Sequence, residues 1–147
     1  MLRGTYYLLH AIMDETLYKE QILDLYRNPL NKGILSDFDV QHRDFNTSCG
    51  DDVTIYIKFD EQRRVKDVSH DGAGCAISQA SVSLLTDWMK GKAKQEIEQL
   101  TDEEMIAMLG IPISHARRGC ALLGWKVLQA IYTENSQHVI PTAVEGS

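Results

Sequence analysis

The stretch Val53-Thr54-Ile55-Tyr56-Ile57-Lys58-Phe59 alternates large apolar residues with Thr, Tyr and Lys at every second position. This period is typical of a β-strand that buries one face and leaves the other accessible. Extended segments are also expected at Asp37–Phe45 and Arg64–Ser69, with residues 60–63 forming a polar hairpin connection. The sequence therefore predicts a three-stranded antiparallel sheet whose apolar face must be covered by other elements.

Helical patterns precede and follow the predicted sheet. Apolar residues recur at helical spacing over residues 14–27 and again from Cys75 to Met89. Thr101-Asp102-Glu103-Glu104 is a capping box that begins another helix, which ends near Gly110. A last helix with a broad apolar face begins near Ser114. Strands followed by helices predict an α+β fold with the helices packed on one face of the sheet.

The chain has the size and composition of one globular domain. It contains 147 residues, 44% hydrophobic and 24% charged. We expect a single domain over residues 1–147, with its core at 14–133, an N-terminal extension at 1–12 and a polar C-terminal tail at 134–147. The net charge is −6 with no concentrated basic face, which argues against a nucleic-acid partner.

The beginning of the sequence does not have the pattern of a secretory signal. The apolar run Tyr6-Tyr7-Leu8-Leu9 is short and lacks a small-residue cleavage site after it. No stretch approaches the 18 or so apolar residues of a spanning helix. We therefore expect no membrane association and a cytoplasmic location, where thiols stay reduced.

Three cysteines, at positions 49, 75 and 120, are the candidate chemistry-bearing residues. An odd number cannot form a closed disulfide set, and gaps of 26 and 45 positions match no short zinc-finger spacing. Each cysteine has a glycine beside it, which leaves room for an ion. Together with Asp51, three thiolates would give four ligands for a soft or borderline metal or an iron–sulfur cluster.

The local sequence suggests how each sulfur is presented. Cys49 and Asp51 are two residues apart in extended chain, so their side chains project to one side. Cys75 falls where a glycine-rich loop meets a helix N-terminus, which favours the thiolate. Cys120 follows Arg117 in the last helix, and this arginine could support a thiolate or persulfide by its charge. Cys49 and Cys120 are the candidate persulfide acceptors.

Simpler interpretations exist for these residues. A single cysteine is most often a buried small apolar residue, and Cys120, on an apolar helix, suits that interpretation best. Asp51 could equally be a solvated turn residue. His115 lies about 140° from Cys120 around a helix, poor geometry for a shared metal. His70 is interpreted as a solvated loop residue, with hydrogen bonding to a metal ligand as the alternative.

Five separated motifs carry more information together than any one of them. They are Asn28-Pro29-Leu30-Asn31-Lys32-Gly33, Cys49-Gly50-Asp51, Gly72-Ala73-Gly74-Cys75-Ala76-Ile77-Ser78, Lys90-Gly91-Lys92 and Cys120-Ala121-Leu122-Leu123-Gly124-Trp125-Lys126. In this order they resemble the IscU/SufU/NifU-N iron–sulfur assembly proteins, over about Leu17 to Tyr132.

The resemblance implies a scaffold that accepts sulfur from a cysteine desulfurase, gathers iron and builds a transient [2Fe–2S] cluster for recipient apoproteins. It also implies that zinc can bind the same site, and that the SufU branch acts largely as a zinc-dependent sulfur acceptor. By motif position, the family's ligands correspond to Cys49, Asp51, Cys75 and Cys120.

The resemblance does not assign the branch. The motifs look like SufU, whereas the spacing between the second and third cysteines is IscU-like. IscU proteins have histidine immediately before the third cysteine, and this chain has Gly119. The IscU segment for an Hsp70-type chaperone has no good counterpart in Ile113–Arg117, so we do not predict that partner.

These observations leave several functions open. The leading hypothesis is a scaffold that is not an enzyme in the turnover sense, and the second is a zinc-dependent sulfurtransferase that relays a persulfide. A purely structural zinc domain would instead unfold on chelation. A Cys/His hydrolase is the weakest option, because no histidine is an evident base.

Overall fold

The computed structural model describes residue 17 and residues 19–138 of the chain. The predicted start of the first helix at residue 14, the extension at 1–12 and most of the tail lie outside these residues. The elements in chain order are a helix α1 at residues 19–27, strands β1 (Val40–Asn46), β2 (Asp51–Phe59) and β3 (Val65–Ala73), helices α2 (Ala76–Met89), α3 (Lys94–Glu98) and α4 (Asp102–Leu109), a 3₁₀ turn (His115–Arg117) and helix α5 (Arg118–His138).

The three strands form one antiparallel sheet in the order β1-β2-β3. Ile55, at the centre of β2, lies opposite His42 of β1 and His70 of β3. Val53, Ile55 and Ile57 are completely buried, while the intervening residues of β2 are partly accessible. The alternation in the sequence therefore corresponds to the inward and outward faces of the sheet, as predicted.

Helices cover the inward face of the sheet. Helix α5 packs against β1 and β2, and α2 packs against β3 and α5. Each fully buried Leu, Ile or Met side chain contributes about 1.5–3 kcal/mol relative to its exposed state. The largest of these side chains are Ile55, Ile57, Leu85, Met89, Ile97, Met105, Leu109, Leu128 and Ile131. The predicted α+β fold is confirmed, with the core between the sheet and the helices.

The helix boundaries follow the capping signals where such signals exist. Thr101 Oγ1 accepts the N–H of Glu104 at 3.1 Å, and Glu104 Oε1 accepts the N–H of Thr101 at 2.9 Å. Gly110 ends α4 with φ of +72°, a conformation that glycine adopts without steric cost. The short helix α3 was not predicted, because five residues are too few to show a period. Helix α5 begins at Arg118, four residues later than expected.

Strand β3 is longer than the sequence indicated, and this changes the place of His70. The strand continues to Ala73 because Gly72 and Ala73 still pair with β2. His70 is consequently a fully buried strand residue, and its interpretation as a solvated loop residue was wrong. Its Nε2–H donates to the carbonyl oxygen of Leu30 at 2.8 Å. Its main chain exchanges hydrogen bonds with Asn31 and Gly33, so His70 fixes the segment that follows α1.

The imidazole of His70 is held in its neutral form. Burial lowers the pKa of His70 to about 4; the positive charge of Lys32 adds to this, while the bond to Leu30 and the charge of Asp71 oppose it. Because Nε2 carries the donated proton, Nδ1 is the atom that would be protonated in acid. Nδ1 is buried and has no hydrogen-bond partner among the described residues, which explains why a second proton is unfavourable there.

We expect a pH-dependent loss of stability from His70. Between pH 6.5 and 4 an unfolded histidine binds a proton and the folded one does not, so the contribution is complete above pH 6.5 and lost as pH falls toward 4. A shift of this size corresponds to about 3 kcal/mol. Urea unfolding of the apoprotein at pH 7.5 and pH 4 should show wild type losing about 3 kcal/mol more than His70→Gln, which keeps a donor near Nε2. Equal losses would contradict this assignment.

No helix among the described residues has the length and apolar character needed to cross a membrane.

Candidate metal centre

Cys49 and Asp51 lie on either side of Gly50, where the turn between β1 and β2 enters β2. Asp51 is the first residue of β2 and has the same inward phase as Val53 and Ile55. Its carboxylate therefore faces the helical layer and is 1% exposed, which excludes the solvated-turn interpretation. Cys49, in the turn itself, is exposed.

Cys75 is the boundary residue between β3 and α2. Its backbone N–H donates to Asp51 Oδ1 at 2.9 Å, and its thiol lies 3.9 Å from Asp51 Oδ2. Gly74 makes this approach possible: a Cβ there would stand 2.6 Å from Asp51 Oδ1 and 2.5 Å from Ser78 Oγ. The N-terminal end of α2 stabilises negative charge on the Asp51 carboxylate and on a Cys75 thiolate.

Cys120 lies in the first turn of α5 and is completely buried. Burial raises the pKa of the Cys120 thiol, and the neighbouring Cys49 and Asp51 raise this pKa further. Its sulfur lies within 4.8 Å of a ligand atom of Cys49 and one of Asp51, beside other candidate ligands rather than among apolar side chains alone. A cation at this point would favour the thiolate, because it supplies the charge that the surroundings lack.

The folded chain brings these groups together from distant positions in the sequence. One ligand atom from each of Cys49, Asp51 and Cys120 lies within 4.8 Å of the other two, and Cys75 contacts the same carboxylate. Ligands of a tetrahedral zinc, at about 2.3 Å from the metal, are about 3.8 Å apart. An ion would need to draw Cys49, Asp51 and Cys120 inward by only about 1 Å. The donor set of three sulfurs and one oxygen suits zinc, iron or an iron–sulfur cluster.

The two arginines before Cys120 have different environments. Arg118 is engaged by the start of α4, with Nη2 at 2.6 Å from Glu103 Oε2 and 3.4 Å from Asp102 Oδ2. Arg117 is an exposed residue of the 3₁₀ turn. Arg118 therefore joins α5 to α4, and Arg117 is exposed on the turn that leads into the helix of Cys120.

The structure adds residues that the sequence analysis did not assign to the site. Lys32 Nζ donates to the carbonyl oxygen of Gly72 and, at 2.9 Å, to Gln79 Oε1. It thereby ties the segment after α1 to the loop that carries Cys75. Asn46 Nδ2 lies 3.8 Å from Cys49 Sγ. Only the Asn28–Gly33 motif hinted at the first contact, and no motif indicated the second.

Neither His115 nor His70 joins this group. His115 is exposed in the 3₁₀ turn, outside α5. His70 bonds to Leu30 and lies 3.4 Å from Ser83 Oγ. It contributes to the fold by holding the segment after α1, and the alternative of a hydrogen bond to a metal ligand finds no support in these contacts.

Comparisons with known proteins agree with this geometry. Residues 17–138 match the family described as the NifU-like N-terminal domain. The chain is 34% identical over 132 residues to the zinc-dependent sulfurtransferase SufU of Bacillus subtilis, covering 78% of this chain and 88% of that protein. It is 35% identical over 129 residues to the iron–sulfur cluster assembly scaffold protein IscU of Thermotoga maritima, covering 77% and 90%.

A solved structure has the same arrangement of sheet and helices. The protein FiSufU of Fervidobacterium islandicum AW-1 superposes with a TM-score of 0.63 and 30% sequence identity, covering 77% of this chain and 94% of that one. The family match spans all four candidate ligands. With its three-stranded sheet, its helical layer and its Cys-Asp-Cys group, this chain belongs to the NifU-like N-terminal domain family, together with the IscU and SufU proteins.

Proposed function

We propose that this chain is an iron–sulfur cluster assembly scaffold, with Cys49, Asp51, Cys75 and Cys120 as the ligands of a labile [2Fe–2S] cluster or of zinc. The observation that carries this proposal is the convergence of Cys49, Asp51 and Cys120 within 4.8 Å, with Cys75 on the same carboxylate. The iron and the cluster are cargo, so the chain is not an enzyme in the turnover sense. A cytoplasmic location, where the thiols stay reduced, is part of the proposal.

The arrangement favours temporary rather than permanent binding. Asp51 offers a hard oxygen to metals that prefer sulfur, which weakens one corner of the site. Cys49 lies on an exposed turn, so a ligand from a recipient apoprotein can approach there. Cys75 and Cys120 are fixed at the starts of two helices. The site thus has two rigid sulfurs, one accessible sulfur and one weak ligand.

We infer that Cys49 is the sulfur acceptor. Its thiolate attacks the terminal sulfur of a persulfide on a cysteine desulfurase, the persulfide S–S bond breaks, and the desulfurase cysteine leaves as a thiolate. Cys49 then carries the sulfur as a persulfide. Cys120 was an equal candidate from the sequence, but it is buried and cannot meet a partner without opening the site. Arg117 remains the candidate supporting charge.

A second candidate function is zinc-dependent sulfur transfer without cluster assembly. The combination of an exposed Cys49 and a buried Asp51 supports it, because the accessible sulfur can leave the metal while three other ligands stay in place. Bound zinc would keep the cysteines deprotonated near neutral pH. Under this proposal the chain is an enzyme of the sulfurtransferase class.

One experiment separates the two functions. Protein purified without oxygen is incubated with a cysteine desulfurase, cysteine and ferrous iron, with and without a thiol reductant that converts persulfide sulfur into sulfide. Its metal, acid-labile sulfide and mass are then measured. A scaffold gains iron and sulfide in equal amounts, and Cys→Ser at 49, 75 or 120 reduces both by at least about tenfold. A transferase keeps zinc and gains one sulfur atom on Cys49 with no sulfide. If neither gain occurs, both functions are wrong.

Circular dichroism after chelation supplies the control for a purely structural zinc site. The core between the sheet and the helices is large enough to stand without a metal. We therefore expect the helical signal to survive chelation, with loosening confined to the turn around Cys49. Cooperative unfolding on chelation would favour the structural role instead.

A further inference from the structure

The turn that carries Cys49 is built on Asn46. Asn46 is the last residue of β1 and lies opposite Asp51. Its carbonyl oxygen accepts the N–H groups of Cys49 at 3.3 Å and of Gly50 at 2.9 Å. Its side-chain oxygen accepts the N–H of Ser48 at 3.1 Å. Asn46 therefore accepts three hydrogen bonds that set the path of the main chain through the exposed cysteine.

The side-chain amide of Asn46 has a second contact, with the sulfur of Cys49. Because Oδ1 accepts the N–H of Ser48, the atom that faces the sulfur is the donor Nδ2. Nδ2 lies 3.8 Å from Cys49 Sγ, within range for an N–H···S hydrogen bond. Asn46 thus holds both the backbone and the side chain of the ligand that the fold leaves most exposed.

Gly119 provides the space for this amide. A Cβ at position 119 would stand 2.9 Å from Asn46 Nδ2 and 3.9 Å from Asn46 Cγ. Gly119 lies inside α5 and has an ordinary helical backbone, so its conformation does not require glycine. Glycine weakens a helix relative to alanine. The presence of glycine here is explained by the space that the amide of Asn46 occupies.

We propose that Asn46 is the positioning residue of Cys49. Gly119 leaves the space in which the Asn46 side-chain amide reaches the sulfur of Cys49. This inference rests on the proposed function, since it concerns the ligand at the accessible corner of the metal site. An N–H···S bond withdraws electron density from a ligating thiolate and fixes its direction. Asn46 would therefore tune the bond between Cys49 and a metal, and keep the exposed sulfur aimed at the site.

The test measures Co²⁺ binding to the metal-free protein. Binding is monitored by the sulfur-to-cobalt charge-transfer absorption of the complex. Asn46→Ser keeps an oxygen that can accept the N–H of Ser48 but is too short to reach Cys49. We expect it to bind Co²⁺ about tenfold more weakly, with the charge-transfer band at lower energy. Asn28→Ser is the matched control, because Asn28 bonds to Asp24, and it should behave as wild type. A purely structural role for Asn46 would change thermal stability without moving the band.

Gly119→Ala tests whether the space beside α5 is needed for the contact between Asn46 and Cys49. The new methyl group should displace the amide, weaken Co²⁺ binding and shift the band as Asn46→Ser does, without lowering the thermal midpoint. In the double variant the methyl group has nothing to displace, so Gly119→Ala should add no further loss to Asn46→Ser. Additive losses, or an Asn46→Ser variant that matches wild type, would overturn the inference alone. Failure of wild type to bind Co²⁺ would overturn the proposed function as well.

Discussion

Replacing Gly72 with alanine is expected to cost about 3–5 kcal/mol of folding stability. Gly72 has φ of +125°, and a Cβ there would overlap the carbonyl oxygen of Asp52 and lie 2.8 Å from its carbonyl carbon. Both atoms belong to the backbone of β2, so no side-chain rotation can relieve the clash. Strands β2 and β3 would have to separate at the end that carries Asp51 and Cys75.

Gly33→Ala is the matched control for this substitution. Gly33 has a similar φ of +135°, but nothing lies within 4 Å of the position of its Cβ. It should therefore cost only the conformational term, about 1–2 kcal/mol. Urea unfolding of the two apoproteins measures the difference, and zinc binding measures the effect on the site. Equal losses for the two variants would show that the close approach of β2 and β3 has no energetic consequence.

Asp51→Ala is expected to slow the loss of bound metal or cluster by about tenfold, which corresponds to about 1.4 kcal/mol in the barrier to release. In the proposed site the carboxylate is the hard corner of an otherwise sulfur-rich ligand set, and its removal would leave three thiolates to hold the cargo. An anaerobic chase with a chelator measures the release. Release from Asp51→Ala that is as fast as from wild type would contradict the role of Asp51 as the weak ligand.

The same substitution should destabilise the apoprotein. Without Asp51 the N–H of Cys75 loses its acceptor at the start of α2, at a cost of about 1–3 kcal/mol. Asp52→Ala is the control one residue away. Asp52 forms an exposed ion pair with Arg43 at 2.9 Å, so its loss should change stability by less than about 1 kcal/mol and leave release unchanged. Slower release from a less stable protein would distinguish a ligand effect from a general tightening of the fold.

Much of the fold follows from local signals in the sequence. The alternation from Val53 to Phe59 predicts the central strand and its buried face, and the capping box at Thr101 predicts the start of α4. Both signals arise within a few residues. The departures at α3 and at the end of β3 occur where such a signal is missing: α3 is a single short turn, and β3 extends through Gly72 because of its pairing with β2.

The candidate metal site likewise has one part that the sequence predicts and one part that it does not. The candidate ligands could be proposed from the sequence, because thiols and carboxylates are recognised as metal ligands by residue type. They are Cys49, Asp51, Cys75 and Cys120. The contacts of Asn46 could not be proposed from the sequence, since an asparagine at the end of a strand is ordinary. Its contact with Cys49 depends on the space at Gly119, in a helix distant in the sequence. The interpretation of His70 as a loop residue was wrong because the nearby Gly72 and Gly74 suggested a loop, whereas pairing in the sheet determines its burial.

The inward phase of Asp51 has a wider consequence. The inward-facing residues of β2 are Asp51, Val53, Ile55 and Ile57. The carboxylate of the candidate metal site and the apolar core therefore lie in one continuous layer. A change in side-chain volume deep in that layer can be transmitted along the strand to the ligands. The lifetime of the cargo would then depend on how tightly the interior is filled, even where no ligand has been altered.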